Sequence, residues 1–500
     1  MSALRPAFSA PTRPGGGLRP AVGGLLAFGL LAALGCGGGG GSSSSPTPAA
    51  PGPSGTGDPC SPRQVKANIL DTFRKHYLWP ELLPSQVDLD AFATPEDLVR
   101  ALTAKARAAG KDRGWSHLTA DAKGPSLSLD DQEGYGFRLA AMALPGGGQG
   151  LRIKYVFHGS PAAQAGLERG DQLVAVAGAF KDLDQAANQL VPGNNWRPLV
   201  PLLFPERAGV VASLRVRRVF GGPSRNVTLT AGTWTTDPVP GWNAPRILTT
   251  AHSHKVGYLP LLEFTERAKA QLRGILGHFR AAGATDLIVD LRYNPGGSLD
   301  VAELFASLLH ASHAQGEVMA ILHYSPARGQ KIQTRYFKKE PEAMEFDRIA
   351  CIVTGDTASA SEMLANVLEP SYGSRLALVG QRTLGKAVGA SVYYDPNCHW
   401  RLQLVTFTPY NAKGGGNYVR GLPYPGFGAV TCSAEDDLDH ALGDPDESSI
   451  AAALAWISTG VPPGPPFGAV PGLPADEEAP PATVQDLGPE PSTAEAATEF

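Results

Sequence analysis

The sequence predicts a mainly α/β protein that contains a separate strand-rich region and begins with a helical segment. Between about residues 233 and 460, apolar strand-like runs alternate with amphipathic helical patterns, as they do in α/β domains. Residues 122–232 instead repeat apolar positions at every second residue, whereas residues 60–121 repeat them every three or four. The chain has 500 residues, of which 43% are hydrophobic, so two or three domains with sizeable cores are expected.

Residues 1–35 have the pattern of a signal peptide that is removed on export. Arginines precede a short apolar run from Ala21 to Gly35, which is too short and too rich in glycine for a convincing membrane span. The run ends in small residues before Cys36, an arrangement that resembles a bacterial lipobox, in which the cysteine becomes the lipidated first residue. We therefore expect an exported protein anchored by lipid to the cell envelope, on the periplasmic side or at the outer membrane. An ordinary signal-peptide cut nearby, which would release a soluble protein, is the alternative.

Two segments are predicted to lack a packed core. Residues 36–59 are rich in glycine, serine and proline, which is typical of a flexible tether. Residues 461–500 are rich in proline, alanine and acidic residues, and they are predicted to be disordered.

The cysteines after Cys36 can form disulfide bonds in an exported chain. Cys398 and Cys432 lie in loop-like surroundings, so we expect these two to pair. Cys351 is inside the apolar run IACIV and is expected to be a buried small hydrophobic residue. Cys60 has no evident partner.

The overall charge gives no reason to expect a nucleic-acid partner. The chain has 43 Lys and Arg against 47 Asp and Glu, a net charge of −4, whereas nucleic-acid-binding domains are usually basic. Neither a zinc-type spacing of Cys and His nor a GxxxxGK[ST] phosphate loop occurs in the sequence. We therefore expect neither a metal nor another cofactor.

Residues 60–121 are predicted to form two helices. A serine followed by a proline opens the first helix, and apolar residues recur every four positions from Val65 to Tyr77 along one face. The second helix is predicted to begin after Thr94 and to stop at Gly110.

Residues 122–232 resemble a PDZ domain. Between two strand-like runs lies GSPAAQAGLERGDQLVAVAG, in which a short helix and a Gly-Asp turn lead into a strand. Gly134, Tyr135, Gly136 and Phe137 resemble the PDZ loop that binds the C-terminal carboxylate of a peptide. Glycines can free successive N–H groups to hold an anion, and a sheet edge can accept the peptide as an added strand. A PDZ fold that acts only as a spacer is the alternative.

Three motifs in the α/β region follow directly after predicted strands, where open α/β sheets place their sites. The first, DLRYNPGGS, contains Gly296 and Gly297 and can expose backbone N–H groups to a ligand, although a plain turn before a helix would have the same pattern. The second, TGDTASASEMLANVLEP, contains Ser359, whose hydroxyl is a candidate nucleophile. Since Glu362 follows three residues later, a helix start with a capping box explains Ser359 as well.

The third motif, RTLGKAVGA, places Lys386 in an apolar, glycine-containing neighbourhood. Burial would lower the pKa of this lysine from about 10.4, so that its neutral amine could take a proton from a serine hydroxyl, as in Ser–Lys catalysis. Taken alone, Lys386 is also explained as an exposed turn residue, because lysine is rarely buried. No GxSxG elbow or HExxH motif points to a different hydrolase.

In this order and after a PDZ domain, the three motifs resemble those of the carboxyl-terminal processing, or tail-specific, serine peptidases. The resemblance extends over about residues 60–460, and the segments GKAVGA, RLQLVTF and EDDLDHALGDP are similar to the GKPVGQ-type lipoprotein branch of that family. It implies a catalytic core in residues 233–460 that is similar to the crotonase and Clp-protease folds. It also implies an endopeptidase that binds the C-termini of its protein or peptide substrates and needs no cofactor.

The resemblance assigns roles residue by residue. Ser359 would be the nucleophile and Lys386 the general base. The N–H of Ala360, with that of Gly296 or Gly297, would hold the oxyanion. Glu362 would support the dyad. The hydroxyls of Thr357 and Ser361 would be structural.

One position departs from the family pattern. A glutamine that commonly follows the lysine by four residues is Ala390 here, so Ser391 or a backbone carbonyl would have to orient Lys386. A misplacement of about 1 Å can cost on the order of 100-fold in rate. The alternative function is therefore a catalytically weak or inactive protein that binds peptides through its PDZ domain, and a crotonase-like acyl transferase or isomerase is a third. The oligomeric state and the physiological substrate stay open.

Overall fold

The computed structural model describes residues 58–120, 131–143, 149–176, 200–205, 207–218, 222–241, 243–310, 316–325, 331–466 and 485–486. The predicted signal peptide, the lipidation site Cys36 and nearly all of the tether lie outside the described residues. Within the described ranges, none of the helices is both long and apolar enough to cross a membrane.

Two helices, α1 (Pro62–His76) and α2 (Pro95–Ala108), form the N-terminal segment as predicted. The side chain of Thr94 caps α2 together with that of Asp97, which accounts for the sharp start of this helix. A short strand, β1 (His117–Thr119), follows. The apolar faces of both helices share one core with residues of a strand of the α/β region, among them Leu402 and Leu404.

The predicted PDZ region is built from antiparallel strands, as its period-two pattern indicates. Its strands are β2 (Asp131–Gly134), β3 (Phe137–Ala143), β4 (Gln149–Val156), β5 (Gln172–Val176), β6 (Val211–Arg217), β7 (Ser224–Thr230) and β8 (Gly232–Thr235), and its helices are α3 (Pro161–Gln164) and α4 (Val200–Leu203). The strands β3 to β7 lie side by side in chain order, and β2 pairs with β8.

In the described part of the α/β region, the strands form two sheets and four α-helices are present. Its strands are β9 (Arg246–Thr249), β10 (Lys255–Pro260), β11 (Asp286–Asp290), β12 (Val318–Tyr324), β13 (Ile332–Tyr336), β14 (Ile349–Val353), β15 (Leu376–Gly380), β16 (Gly389–Asp395), β17 (Trp400–Asn411) and β18 (Val430–Ser433). Its helices are α5 (Glu266–Ala282), α6 (Leu299–Leu308), α7 (Ala360–Tyr372) and α8 (Ser448–Thr459). One sheet has the order β18-β15-β14-β11-β10-β9, and the other contains β1, β12, β13, β16 and β17.

The parallel strands of the first sheet determine where the candidate motifs meet. β11, β14 and β15 are neighbours, run parallel, and are buried along their whole length, which explains their unbroken apolar sequences. The loops that contain the three motifs leave the carboxyl ends of these strands. The motifs therefore converge at one edge of the sheet, as expected for an α/β site.

The predicted pairing of Cys398 with Cys432 is wrong. Cys398 forms a disulfide bond with Cys60, and the two Cα atoms are 5.1 Å apart. Cys398 lies in the β16–β17 hairpin, which packs against the N-terminal segment, whereas Cys432 is a buried free thiol in β18 of the other sheet. Loop-like sequence around two cysteines gave no information on which sheet each would join. Cys351 is buried and free, as predicted.

Removal of the Cys60–Cys398 bond is expected to lower the free energy of unfolding by about 2–5 kcal/mol, because it links residues 338 positions apart in the unfolded chain. Denaturant unfolding of the wild type and of Cys60→Ala/Cys398→Ala, with and without reductant, measures this difference. Reductant should destabilise the wild type and leave the double variant unaffected. Equal stability of the two oxidised samples would contradict the expectation.

The predicted disordered tail lies largely outside the described residues. Gln485–Asp486 form a short strand, β19, that pairs antiparallel with Ala141 and Ala140 of β3. These two residues are therefore paired with a strand, and the disorder expected for residues 461–500 stays a prediction.

Candidate active site

Ser359 lies at the junction between the loop that follows β14 and the start of α7. Its backbone has φ 55° and ψ −117°. Residues other than glycine rarely adopt this conformation, which costs about 1–3 kcal/mol. Such strain persists only where the surrounding structure enforces it, and it is concentrated at functional sites. A strained serine on a strand-to-helix turn is also the arrangement that presents a nucleophile in other hydrolases. A simple helix cap would not need this conformation.

The neighbouring hydroxyls are engaged in hydrogen bonds that join two loops. The hydroxyl of Thr357 donates to the carbonyl of Leu291 at 2.8 Å, and that of Ser361 donates to the carbonyl of Asn294 at 3.1 Å. Both acceptors belong to the DLRYNPGGS loop. These two residues therefore fix the serine loop against the glycine loop, which fits the structural role expected for them.

Gly296 packs directly against the candidate nucleophile. A Cβ atom at this position would lie 2.7 Å from Cβ of Ser359 and 3.0 Å from the backbone nitrogen of Ala360, so a larger residue cannot be accommodated. The N–H of Gly296 donates to the side chain of Asn294 at 2.9 Å. The absence of a side chain on Gly296 therefore lets its backbone lie close to Ser359. Its N–H is already bonded to Asn294.

Two other backbone donors belong to the residues that follow Gly296 and Ser359 in the chain. The N–H groups of Gly297 and Ala360 have no hydrogen-bond partner within the described part of the chain. Ala360 is the first residue of α7, where a helix exposes its N–H groups and the positive end of its dipole. Of the two glycines predicted as alternatives, Gly297 is thus the one that can pair with Ala360 to hold an oxyanion.

Lys386 lies in the same small cavity as Ser359, among largely apolar side chains that include Met363, Val388 and Phe407. It is only 3% exposed, so the reading of this lysine as an exposed turn residue is wrong. Burial lowers the pKa of Lys386 to about 8, while the negative charges of Asp112 and Glu362 oppose the shift. A substantial fraction of the amine is therefore neutral near physiological pH, and this is the form that can accept a proton.

Glu362 connects the loop of the serine to the loop of the lysine. Its fully buried carboxylate accepts hydrogen bonds from the backbone N–H groups of Ser359 and Lys386, both at 2.9 Å, and of Gly385 at 2.7 Å, and also from the hydroxyl of Thr383. Burial raises the pKa of Glu362 to about 7, although these donors favour its charged form. Glu362 therefore forms the carboxylate part of a capping box and also holds the serine loop and the lysine loop together.

The N-terminal segment contributes residues to the site that sequence reasoning missed. Arg113 donates to the carbonyls of Leu384 and Gly385 at 2.7 and 3.1 Å, immediately before the candidate base. Asp112 is fully buried, and its charge acts on Lys386. The pKa of His117 is lowered to about 4 by burial and by the charge of Lys386, so its ring is neutral. The sequence KDRGWSH contains these charged and polar residues, but nothing in it indicates contact with a loop about 270 residues away.

Ser391 is one of the two groups expected to orient Lys386 in place of the family glutamine, the other being a backbone carbonyl. Ala390 is buried in β16, and the hydroxyl of the adjacent Ser391 lies 2.8 Å from that of Thr406. Ser391 is therefore paired with Thr406, and no hydrogen bond of its hydroxyl to Lys386 is found within the described residues.

The predicted peptide-binding loop lies between β2 and β3. Gly134 and Gly136 have φ of +134° and +82°, and a Cβ on Gly136 would lie 2.1 Å from that of Ser160. The N–H groups of Tyr135 and Gly136 have no partner among the residues that the structure describes, and Phe137 begins β3. The side chains of Tyr135 and Phe137 are buried in the PDZ core, so the loop can contribute only its backbone donors at these positions.

Basic residues of the PDZ region contact the loops of the site. Arg138 donates to the carbonyl of Tyr293 at 2.6 Å, and Lys154 forms an ion pair with Asp356, three residues before Ser359. Arg169 pairs with Asp436 and contacts the hydroxyl of Tyr293. The PDZ region is thus attached to both the serine loop and the glycine loop.

Across the described ranges, no group of three or more His, Cys, Asp or Glu side chains is arranged to hold a metal ion.

Gly296→Ala is expected to lower kcat by about 100-fold or more, since the added methyl group would displace Ser359. A peptidase assay on this variant and on Gly277→Ala measures the effect. Gly277 lies in α5, where a Cβ meets nothing within 4 Å, so this control should retain wild-type activity. Wild-type activity in Gly296→Ala would contradict the close packing of Gly296 against Ser359.

Comparison with known proteins identifies three segments of the chain. The model of Peptidase family S41 matches residues 255–421, that of the Peptidase S41 N-terminal domain matches residues 64–117, and that of the PDZ domain matches residues 125–191. A solved structure of an S41 protease from Bacteroides fragilis superimposes with a TM-score of 0.61 at 25% identity, and it covers 79% of this chain and 97% of its own.

Curated relatives carry names of the same kind. A carboxyl-terminal-processing protease from Synechocystis is 28% identical over 253 residues, which cover 49% of this chain and 51% of the relative. A carboxy-terminal processing protease from Bacillus subtilis is 27% identical over 238 residues, which cover 47% and 45%. The chain thus spans about half the length of these relatives. From the matched segments and the S41 fold, the chain belongs to peptidase family S41 and contains a PDZ domain between the family's N-terminal and peptidase domains.

Proposed function

We propose that this protein is a serine endopeptidase in which Ser359 is the nucleophile and Lys386 the general base. The observation that carries the proposal is the shared cavity of a strained serine and a buried lysine with a lowered pKa. In support, the backbone N–H groups of Gly297 and Ala360 have no hydrogen-bond partner among the described residues. These are the parts that acyl transfer requires.

Each part has a step in the proposed reaction. The neutral amine of Lys386 takes the hydroxyl proton of Ser359 while the serine oxygen attacks the peptide carbonyl carbon. The N–H groups of Gly297 and Ala360 donate to the oxyanion that forms. Collapse of this intermediate breaks the peptide bond, and the leaving amine takes the proton from Lys386. Water, deprotonated by the same lysine, then hydrolyses the acyl-enzyme.

We propose further that the PDZ domain binds C-termini of substrate proteins. The N–H groups of Tyr135 and Gly136, which have no partner in the part of the chain that the structure describes, are suited to a carboxylate. The strand β3 is suited to pairing with the peptide. In support, Gln485–Asp486 of the same chain already pair with β3 as an antiparallel strand.

The domain boundaries and the cellular location belong to the same proposal. We assign residues 1–35 to a signal peptide, 36–59 to a tether, 60–121 to the N-terminal segment, 122–232 to the PDZ domain, 233–460 to the peptidase domain and 461–500 to a tail. Lipidation of Cys36 would anchor the enzyme at the cell envelope, where it would cleave exported proteins.

Incubation of the full-length chain with unfolded casein tests the peptidase activity. Cleavage by the wild type that is lost in Ser359→Ala supports the proposal, and undiminished cleavage by Ser359→Ala overturns it. For the PDZ assignment, a peptide with a free C-terminus should bind more tightly than the same peptide with a C-terminal amide. Equal binding of the two peptides would contradict carboxylate recognition.

A peptide-binding protein without catalysis is the second candidate. It is favoured by Ala390, which stands where the family has a glutamine, and by the pairing of Ser391 with Thr406, since the side chain of neither Ala390 nor Ser391 forms a hydrogen bond to Lys386 within the described ranges. Binding of the free C-terminal peptide without any casein cleavage would support this candidate.

A further inference from the structure

The cavity that Ser359 and Lys386 share extends beyond these two residues. Its volume is about 230 Å³, including its opening to solvent, which is space for one small side chain. Apart from Tyr418, its other lining residues are apolar, and they include Leu299, Met363, Val388, Phe407 and Pro409.

Tyr418 is a buried tyrosine, only 1% exposed, whose hydroxyl has no hydrogen-bond partner among the described residues. Of the buried side-chain groups that lack a partner in the described ranges, it is the one that lines this cavity. A buried hydroxyl without a partner is unfavourable, because the group has lost its hydrogen bonds to water. A polar group that enters the cavity and pairs with Tyr418 would remove this cost.

Tyr418 lies in the loop between β17 and β18, and this loop packs on the lysine loop. The N–H of Leu422 donates to the hydroxyl of Thr383 at 2.7 Å, and that hydroxyl donates in turn to the carboxylate of Glu362. The carbonyl of Tyr418 itself accepts the N–H of Gly421 at 2.8 Å. The loop of Tyr418 is thus fixed by hydrogen bonds to the residues that hold the dyad, and a residue that selects a substrate needs such support.

The hydroxyl of Tyr418 can both donate and accept a hydrogen bond. Burial, and then the negative charge of Glu362, raise the pKa of Tyr418 well above its usual value, so the hydroxyl stays protonated. A further ion would be costly to bury in the apolar lining of the cavity. The group that fits is therefore a short, neutral side chain with a hydroxyl.

The substrate residue whose carbonyl is attacked is in a position to supply this side chain. In the proposed mechanism that carbonyl lies between Ser359 and the N–H of Ala360, and both residues line the cavity. The Cβ of the substrate residue is attached to the atom next to the carbonyl carbon. Its side chain therefore starts beside the cavity.

We propose that the cavity receives the side chain on the amino side of the cleaved bond, and that Tyr418 makes the enzyme selective for serine or threonine there. The inference rests on the proposed serine peptidase function and adds the class of residue after which it cleaves. A hydroxyl group in the cavity pairs with Tyr418, whereas a methyl group leaves Tyr418 unpaired. Sites built to hydrogen-bond a hydroxyl reject analogues that lack it.

Four peptides with one scaffold test this selectivity, with serine, alanine, threonine or valine at a single central position. Serine and alanine differ by one hydroxyl group, and threonine and valine have the same shape. In the full-length wild type, we expect kcat/KM for cleavage after the varied residue to be about tenfold or more higher for serine than for alanine, and for threonine than for valine. Mass spectrometry of the products identifies the cleaved bond.

Tyr418→Phe removes the hydroxyl and keeps the ring, so each of the two ratios should fall to about one. Tyr424→Phe is the matched control, because Tyr424 lies in the same loop but its hydroxyl donates to the side chain of Asn366 at 3.2 Å. This control should keep the wild-type ratios. A melting curve of each variant shows whether it is folded.

The outcomes separate this inference from the proposed function. A wild type that cleaves neither these peptides nor unfolded casein contradicts the peptidase function itself. Cleavage combined with equal kcat/KM within each pair, or with no cut after the varied residue, overturns the inference alone. An equal loss for all four peptides in folded Tyr418→Phe, with the ratios kept, would mean that the hydroxyl acts on the dyad, and it also overturns the inference. Should Tyr418→Phe fail to fold, the wild-type ratios decide.

Discussion

Ser359→Ala is expected to lower kcat for peptide-bond cleavage by about 10³–10⁶-fold, the range expected when a serine nucleophile is removed. The variant retains the two proposed oxyanion donors and the cavity, so residual activity above the uncatalysed rate is also expected. Its stability should change little, because the strained backbone conformation belongs to the loop and not to the hydroxyl. Initial rates with a peptide substrate, together with a melting curve, measure both effects.

The matched control for this variant is Ser361→Ala. Both serines lie in one motif, but the hydroxyl of Ser361 donates to the carbonyl of Asn294 and points to a structural role. We expect its loss to lower stability more than activity. Equal losses of activity in the two variants at equal stability would contradict the choice of Ser359.

Lys386→Met is expected to lower kcat by about 10³-fold or more, because general-base catalysis is lost while the apolar cavity is preserved. In the wild type, activity should rise as the pH passes through about 8, since the neutral amine is the active form and burial lowers the pKa of Lys386 to that value. In Lys386→Met this limb should be absent. The pH dependence of kcat/KM measures it.

Lys386→Arg distinguishes a base from a fixed positive charge. A guanidinium group keeps its charge at every pH of the assay and cannot accept a proton. We therefore expect this variant to be as inactive as Lys386→Met. Activity close to wild type in Lys386→Arg would mean that the lysine acts only through its charge.

The sequence alone was sufficient for the outline of the site because each motif follows an apolar strand. Parallel strands bring their carboxyl ends to one edge, so Gly297, Ser359 and Lys386 could be expected to converge before their contacts were known. Local chemistry also predicted the starts of α1 and α2. Ser359 combines features of a helix start with the strain of a functional turn, and a sequence pattern cannot report backbone strain.

The contacts between distant segments could not be predicted in this way. The partner of Cys398 lies 338 positions away. Arg113 contacts the lysine loop from a segment whose residues carry no recognisable motif. The choice between Gly296 and Gly297 depends on one hydrogen bond to the side chain of Asn294. Such details arise from tertiary packing, which composition and periodicity do not encode.

The most direct test of the Ser–Lys assignment is to map the residue that a fluorophosphonate modifies in the full-length protein at pH 9. Mass spectrometry of the digested adduct should find the label on Ser359 and on neither Thr357 nor Ser361, and Lys386→Met should be labelled far more slowly. A label on another residue, or equal rates in the wild type and Lys386→Met, would contradict the assignment.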